Sequence, residues 1–138
     1  VQDDIRLSFK SSSGTIPLVV NTSGVITTAN SSKRYKENIK PVEDAVLDPN
    51  GLYDVQVCQY NYKPEYKDNE LVSGTQIGVI AEDLDKHYPN AVIYDSEGRP
   101  ESWQDRIMIP AMLKLIQDQK KQLDALQAEV DALKAKLQ

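Results

Sequence analysis

The stretch Asn30-Ser31-Ser32-Lys33-Arg34-Tyr35-Lys36-Glu37-Asn38-Ile39 divides the chain into two differently built parts. Short alternating segments precede it and a mixed pattern of strands and helices follows. It also sets two hydroxyls, those of Ser31 and Ser32, five and four positions ahead of Lys36. A serine becomes a nucleophile when a base removes its proton, and a lysine can be that base only when neutral. The spacing therefore carries chemistry only where the fold strips water from the amine. Taken alone, the same residues also read as a solvated basic turn.

Toward the N-terminus, Ile5, Leu7 and Phe9 fall on one face of an extended segment. Ile16-Pro17-Leu18-Val19-Val20 and Val25-Ile26-Thr27-Thr28 then flank a turn at Asn21-Thr22-Ser23-Gly24. Two or three short strands cannot bury a core of their own. Residues 1–30 are thus expected to pair with further copies or to continue a preceding β-rich domain, as the end of a stalk. The opening Val1 in place of Met suggests a fragment of a longer polypeptide.

Toward the C-terminus, Pro41-Val42-Glu43-Asp44-Ala45-Val46-Leu47 predicts a short helix stopped by Asp48-Pro49-Asn50-Gly51. Val55, Val57, Tyr60 and Tyr62 predict a strand with a phase break near Cys58, and Gln76-Ile77-Gly78-Val79-Ile80-Ala81 a more buried one. One or two helical turns over residues 82–88 end before Pro89, and strand Ala91-Val92-Ile93-Tyr94 runs into a turn at Asp95-Ser96-Glu97-Gly98. Residues 31–108 therefore predict a small α+β domain.

Residues 109–138 carry a heptad pattern, with Ile109, Ile116, Leu123, Val130 and Leu137 at a and Met112, Gln119, Leu126 and Leu133 at d. At about 1.5 Å per residue such a helix is a rod of roughly 42 Å, too long to hide its seam in so small a domain. It predicts a coiled coil with partner helices. Gln119 at a core position would fix register at some cost in stability.

The 138 residues, 40% hydrophobic, suffice for one modest domain with appendages. Charge is uneven: 0 over residues 1–30, +3 over 31–40 and −8 over the remainder, which sums to the formal −5. The acidic balance argues against nucleic acid as a partner, since no basic stripe extends past Lys40. Cys58 is the single cysteine, so no disulfide within the chain and no cysteine-based zinc site is expected. Glu82, Asp83 and Asp85 fit the acidic first turn of a helix better than any calcium loop, and no metal or other cofactor is expected. His87 fits a helix-end role, and Trp103 and the tyrosines fit core or interface. No apolar run approaches the roughly 20 residues of a membrane helix, so no membrane partner is expected.

Four motifs occur in order: residues 31–39, Tyr60-Asn61-Tyr62-Lys63, Gly78-Val79-Ile80-Ala81-Glu82-Asp83-Leu84, and the heptad helix. Together they resemble the intramolecular chaperone domain of bacteriophage tail spikes, a family also found in endosialidases, neck appendages, tail fibres and the myelin regulatory factor. The resemblance covers roughly residues 28–138. It implies a homotrimer that folds the N-terminal fibre or tailspike domain of the same polypeptide and then releases itself by autoproteolysis. By resemblance, Ser31 matches the nucleophile and Lys36 the general base of a Ser-Lys dyad, in a single-turnover serine endopeptidase whose scissile bond joins Asn30 to Ser31. Ser32 stands where many members carry an acid, and it remains an alternative nucleophile. A purely structural trimerisation cap that never cuts is the competing reading. The resemblance places the chain in the host cytoplasm during virion assembly and its parent fibre in the tail or neck appendage.

Overall fold

A computed structural model describes residues 18–66 and 74–138. The alternating Ile5, Leu7 and Phe9, and the strand start at Ile16 and Pro17, lie outside the described residues. The chain divides into two compact units, Val1–Pro41 and Val42–Gln138.

In the first unit, β1 (Leu18–Val20) and β2 (Ile26–Thr28) form an antiparallel hairpin with Leu18 opposite Thr28 and Val20 opposite Ile26. Asn21 builds the turn. Its Oδ1 accepts the amide N–H groups of Ser23 at 3.0 Å and Val25 at 2.9 Å, and its carbonyl accepts that of Gly24 at 2.9 Å. Gly24 sits at φ +76°, where a side chain would be strained. After this hairpin come a single 3₁₀ turn, Lys33–Tyr35, and the extended residues that lead out of the unit.

The second unit is mixed α and β, as the sequence predicts. Two further hairpins, β3 (Val57–Tyr60) with β4 (Gln76–Val79) and β5 (Val92–Tyr94) with β6 (Pro100–Trp103), accompany a short helix α1 (Ala81–His87) and a long one, α2 (Asp105–Lys136). Helix α1 has Glu82 and Asp83 in its first turn and Lys86 and His87 in its last, each on the side the helix dipole favours. Pro89 stops it, and the Tyr88 N–H closes on the Leu84 carbonyl at 2.6 Å.

Four local expectations change. Residues 41–47 make one turn instead of a helix: Val46 and Leu47 N–H share the Glu43 carbonyl, and Pro49 forces Asp48 out of helical conformation. Pairing of β3 with β4 runs unbroken from Val57 opposite Val79 to Tyr60 opposite Gln76, so Cys58 marks no phase break. The irregularity falls between Ile93 and Tyr94. Strand β6 was not anticipated, because Pro100-Glu101-Ser102-Trp103 has no alternation. It forms because Asp95 Oδ1 accepts the N–H groups of Glu97 and Arg99 and folds the chain back.

Helix α2 also begins before the heptad seam. The Gln104 N–H is fixed to the Ala91 carbonyl at 2.7 Å, and the Gln104 carbonyl accepts Ile107 and Met108 N–H. Pro110 then sits inside the helix and deprives the Arg106 carbonyl of its usual donor. Burial of Met108 and Ala111 offsets that loss.

The core of this unit is Leu84, Tyr88, Ala91, Val92, Met108 and Ala111, with Leu47, Leu52, Val55, Val79 and Ile107 packed against it. Gly51 lies so close to α1 that a Cβ there would stand 2.0 Å from the His87 carbonyl oxygen. Along α2 the less exposed positions are 107, 108, 111, 114, 115, 118 and 119, a stripe of helical period. From residue 120 onward every residue is exposed.

Candidate functional site

The 3₁₀ turn Lys33–Tyr35 places the residues on either side of it together. Ser32 is its N-cap: the Ser32 Oγ accepts the Arg34 N–H at 3.4 Å, and the Ser32 carbonyl accepts the Tyr35 N–H at 3.1 Å. Lys36 is the C-cap, its N–H bound to the Lys33 carbonyl at 3.0 Å. One tight turn thus separates Ser31 from Lys36, and the Lys36 Nζ donates to the Ser31 Oγ at 3.1 Å. The two serines therefore occupy different roles. Ser31 faces the amine and Ser32 closes the turn.

Around this pair lies a shallow depression of about 610 Å³ lined by Ser31, Lys33, Lys36, Glu37, Asn38 and Ile39. Asn38, at φ +53°, is the non-glycine residue with positive φ among the described residues. Asparagine tolerates that conformation better than most residues, and Asn38 is among the residues that line the depression. Arg34 lies over the Tyr35 ring with its Cζ 4.8 Å from the centroid. Ser31, Lys36 and the rest of the decapeptide are exposed in the single chain. Base chemistry by an amine in this position requires that something cover it.

The heptad positions are described within the second unit. Ile109, Met112, Ile116, Leu123, Leu126, Val130, Leu133 and Leu137 all remain exposed, from 43% at Val130 to 88% at Leu137. Ile109 and Met112 share an apolar groove of about 480 Å³ with Val57, Ile77 and Trp103, whereas from Leu123 onward the seam lies on a stretch of helix whose residues are all exposed. Gln119 differs from its apolar neighbours: its Nε2 donates to the Tyr53 hydroxyl at 2.9 Å, on the 3₁₀ turn Asn50–Asp54.

Two motifs that carried no assigned role meet in space. Tyr60, Asn61, Tyr62 and Lys63 line one side of a cleft of about 740 Å³, and Val79, Ile80, Ala81 and Glu82 line another, with Trp103 completing it. Gly78 belongs here too, because a Cβ would come within 3.3 Å of the Tyr60 hydroxyl. The Tyr60 and Tyr62 rings meet edge to face at 5.6 Å, and the Tyr62 hydrogen bond raises the Tyr60 phenol above its ordinary range. The signal in the sequence was the aromatic spacing in residues 60–62, which periodicity alone reads as strand.

His87 stands 3.8 Å from Asp83 across one turn of α1, at the helix end. Among the described residues, no group of three or more His, Cys, Asp or Glu side chains converges on a metal-sized site. No helix among them is long and apolar enough to cross a membrane.

Comparison with curated proteins gives no match. Comparison with protein families does: residues 31–93 match a family named as a peptidase and described as the chaperone of endosialidase. The match begins at Ser31 and runs through the turn, the paired motifs, α1 and most of β5. Residues 31–93, rather less than half of the chain, are thus similar to the chaperone-of-endosialidase family.

Proposed function

We propose that this chain is the C-terminal assembly module of a trimeric phage fibre or tail spike, and that it detaches itself by cutting between Asn30 and Ser31. The observation that carries the reading is the 3.1 Å contact from Lys36 Nζ to Ser31 Oγ, at the first residue of the family match. The exposed seam of α2 supports self-association. A copy number of three comes from the tailspike-type chaperones that the motifs resemble. By the same resemblance, assembly occurs in the host cytoplasm and the parent fibre ends in the virion.

The cut runs as an acyl shift followed by hydrolysis. Neutral Lys36 takes the Ser31 hydroxyl proton as the Oγ attacks the Asn30 carbonyl carbon. The C–N bond breaks, the Ser31 nitrogen leaves as an amine carrying the proton returned by Lys36, and an ester joins Asn30 to the Ser31 Oγ. Water then hydrolyses that ester, giving an Asn30 carboxylate and restoring the Ser31 hydroxyl. Water around an exposed Lys36 opposes the first step, so covering the depression during assembly would time the reaction. Like charge from Lys33, Arg34 and Lys40 in several copies would act in the same direction.

The test is to incubate the purified assembled chain and weigh it. Loss of the first 30 residues, abolished by Ser31→Ala and by Lys36→Ala, is the expected result. An intact mass in a folded trimer would make the chain a non-cleaving cap and end the proteolytic reading.

A further inference from the structure

The hairpin of β3 and β4 presents an apolar face to helix α2, and the core covers only part of it. Val57 pairs with Val79 and Gln59 with Ile77, so these four side chains share one face of the two strands. Val79 packs against the core, whereas Val57 is 72% exposed and Ile77 78%. Both line the apolar groove of about 480 Å³ beside α2, whose helical wall is Met108, Ile109, Met112 and Leu115. Every residue that lines the groove is apolar, and Trp103 is among them. A two-stranded hairpin is marginal by itself in water, yet this one carries β-branched surface beyond what the core of a single chain covers.

The groove is continuous with the seam of α2. Ile109 and Met112, the first a and d positions of the heptads, line it, and Ile116 follows at the next a position, 59% exposed. A helix laid along that seam therefore passes over the groove. The far seam is too small to suffice alone: 18 residues, 120–137, span about 27 Å, and a helix about 10 Å across leaves a footprint on the order of 300 Å², against about 800 Å² per partner in a stable interface.

Charge narrows the choice of occupant. Residues 42–104 hold thirteen acids and four bases, while residues 105–136 hold five acids and six bases. The acidic body of one copy repels that of another, and α2 is the part that can approach it without net like charge. Its heptads also match themselves, since parallel copies bring a and d positions to the same height.

We infer that this groove seats a second copy of this chain: the near half of the seam on the second copy's α2 covers Val57, Ile77 and Trp103. This rests on the reading of the chain as one that self-associates through α2. It extends the interface from the helix onto the hairpin, so that the domain as well as the rod selects its own kind.

Trp103 is the single tryptophan and reports on the groove. The experiment uses the full chain with Ser31→Ala, which stays whole whether or not the wild type cuts, so the proteolytic reading does not bear on the result. Raising its concentration until sedimentation shows assembly should lower acrylamide quenching of Trp103 severalfold. Val57→Lys and Ile77→Lys should each weaken assembly about tenfold or more, because an ammonium would be buried without a partner. Ile93→Lys, on β5 and outside the groove, should leave assembly unchanged. Assembly that leaves Trp103 as open as in the monomer, or that tolerates both groove lysines, overturns the inference and leaves the groove to a different partner. A chain that stays monomeric at every concentration ends the self-assembly reading, and this inference with it.

Discussion

The Lys36 Nζ reaches the Ser31 Oγ at 3.1 Å because Ser32, the residue between Ser31 and the 3₁₀ turn, caps that turn. Neighbouring hydroxyls are thereby sorted into one that meets the amine and one that holds the backbone. Ser32→Ala removes only a cap of an exposed turn, worth about 0.5–2 kcal/mol of local order. Cleavage should therefore survive in Ser32→Ala, slowed less than about tenfold, and vanish in Ser31→Ala. Intact mass against time separates the two, and the reverse pattern would make Ser32 the nucleophile.

Lys36→Arg keeps the positive charge and most of the reach, but a guanidinium does not give up its proton near neutrality. If Lys36 acts as the base, Lys36→Arg should leave the chain uncut at every pH from 6 to 10, while its circular dichroism matches the wild type. Residual cutting at the wild-type rate would show that the amine only orients the hydroxyl.

The hairpin of residues 18–28 was legible because Asn21 and Gly24 are residues that a tight turn demands, and α1 because acids, bases and Pro89 mark its two ends. The contact of Ser31 with Lys36 lies five positions apart and needs one turn, so local spacing could suggest it. Strand β6 was hidden because its pairing depends on the Asp95 turn and not on a pattern of its own. The start of α2 was hidden for a related reason. The heptad pattern begins at Ile109, whereas the Gln104 to Ala91 hydrogen bond sets the helix running from Asp105. The Lys114 bond to Asp44 and the Gln119 bond to Tyr53 join residues far apart in sequence, and no periodicity reports such pairs.

Glycine positions give a sharp contrast in stability. At Gly51 a methyl group would collide with the backbone carbonyl of His87, which cannot move without shifting α1. Gly51→Ala should cost on the order of 1–3 kcal/mol or more. At Gly78 the neighbour is the end of the Tyr60 side chain, which can swing away, so Gly78→Ala should cost less than 1 kcal/mol. Leu84→Ala, which empties a fully buried site, should cost about 2–5 kcal/mol. Urea titrations of the three variants check the ranking.

The charges at Lys114 give the stability a defined pH window. Hydrogen bonding to Asp118 and Asp44 raises the Lys114 ammonium, so its contribution is complete below the unfolded lysine value of about 10.4 and is lost as pH climbs through the raised one. Hydrogen bonding to Lys114 lowers the Asp118 carboxyl, so its contribution is complete above about 3.9 and is lost as pH falls through the depressed value. Between roughly pH 4 and 10 the contribution should be flat. Lys114→Met should narrow the stability difference from wild type at both extremes, read as thermal midpoints across pH.

The far half of α2 makes the strongest claim on partners. Leu123, Leu126, Val130 and Leu133 are all exposed on a segment in which every residue is exposed, and a lone helix of that length is marginal in water. Its helicity should therefore depend on protein concentration. Replacing Leu126 and Leu133 together by Asp puts charge at two core positions of any bundle without touching Met108 or Ala111 in the domain core. Sedimentation should show the wild type self-associating and the double variant monomeric, with loss of ellipticity confined to about half of α2. A double variant that associates as tightly as wild type would place the interface elsewhere on the chain.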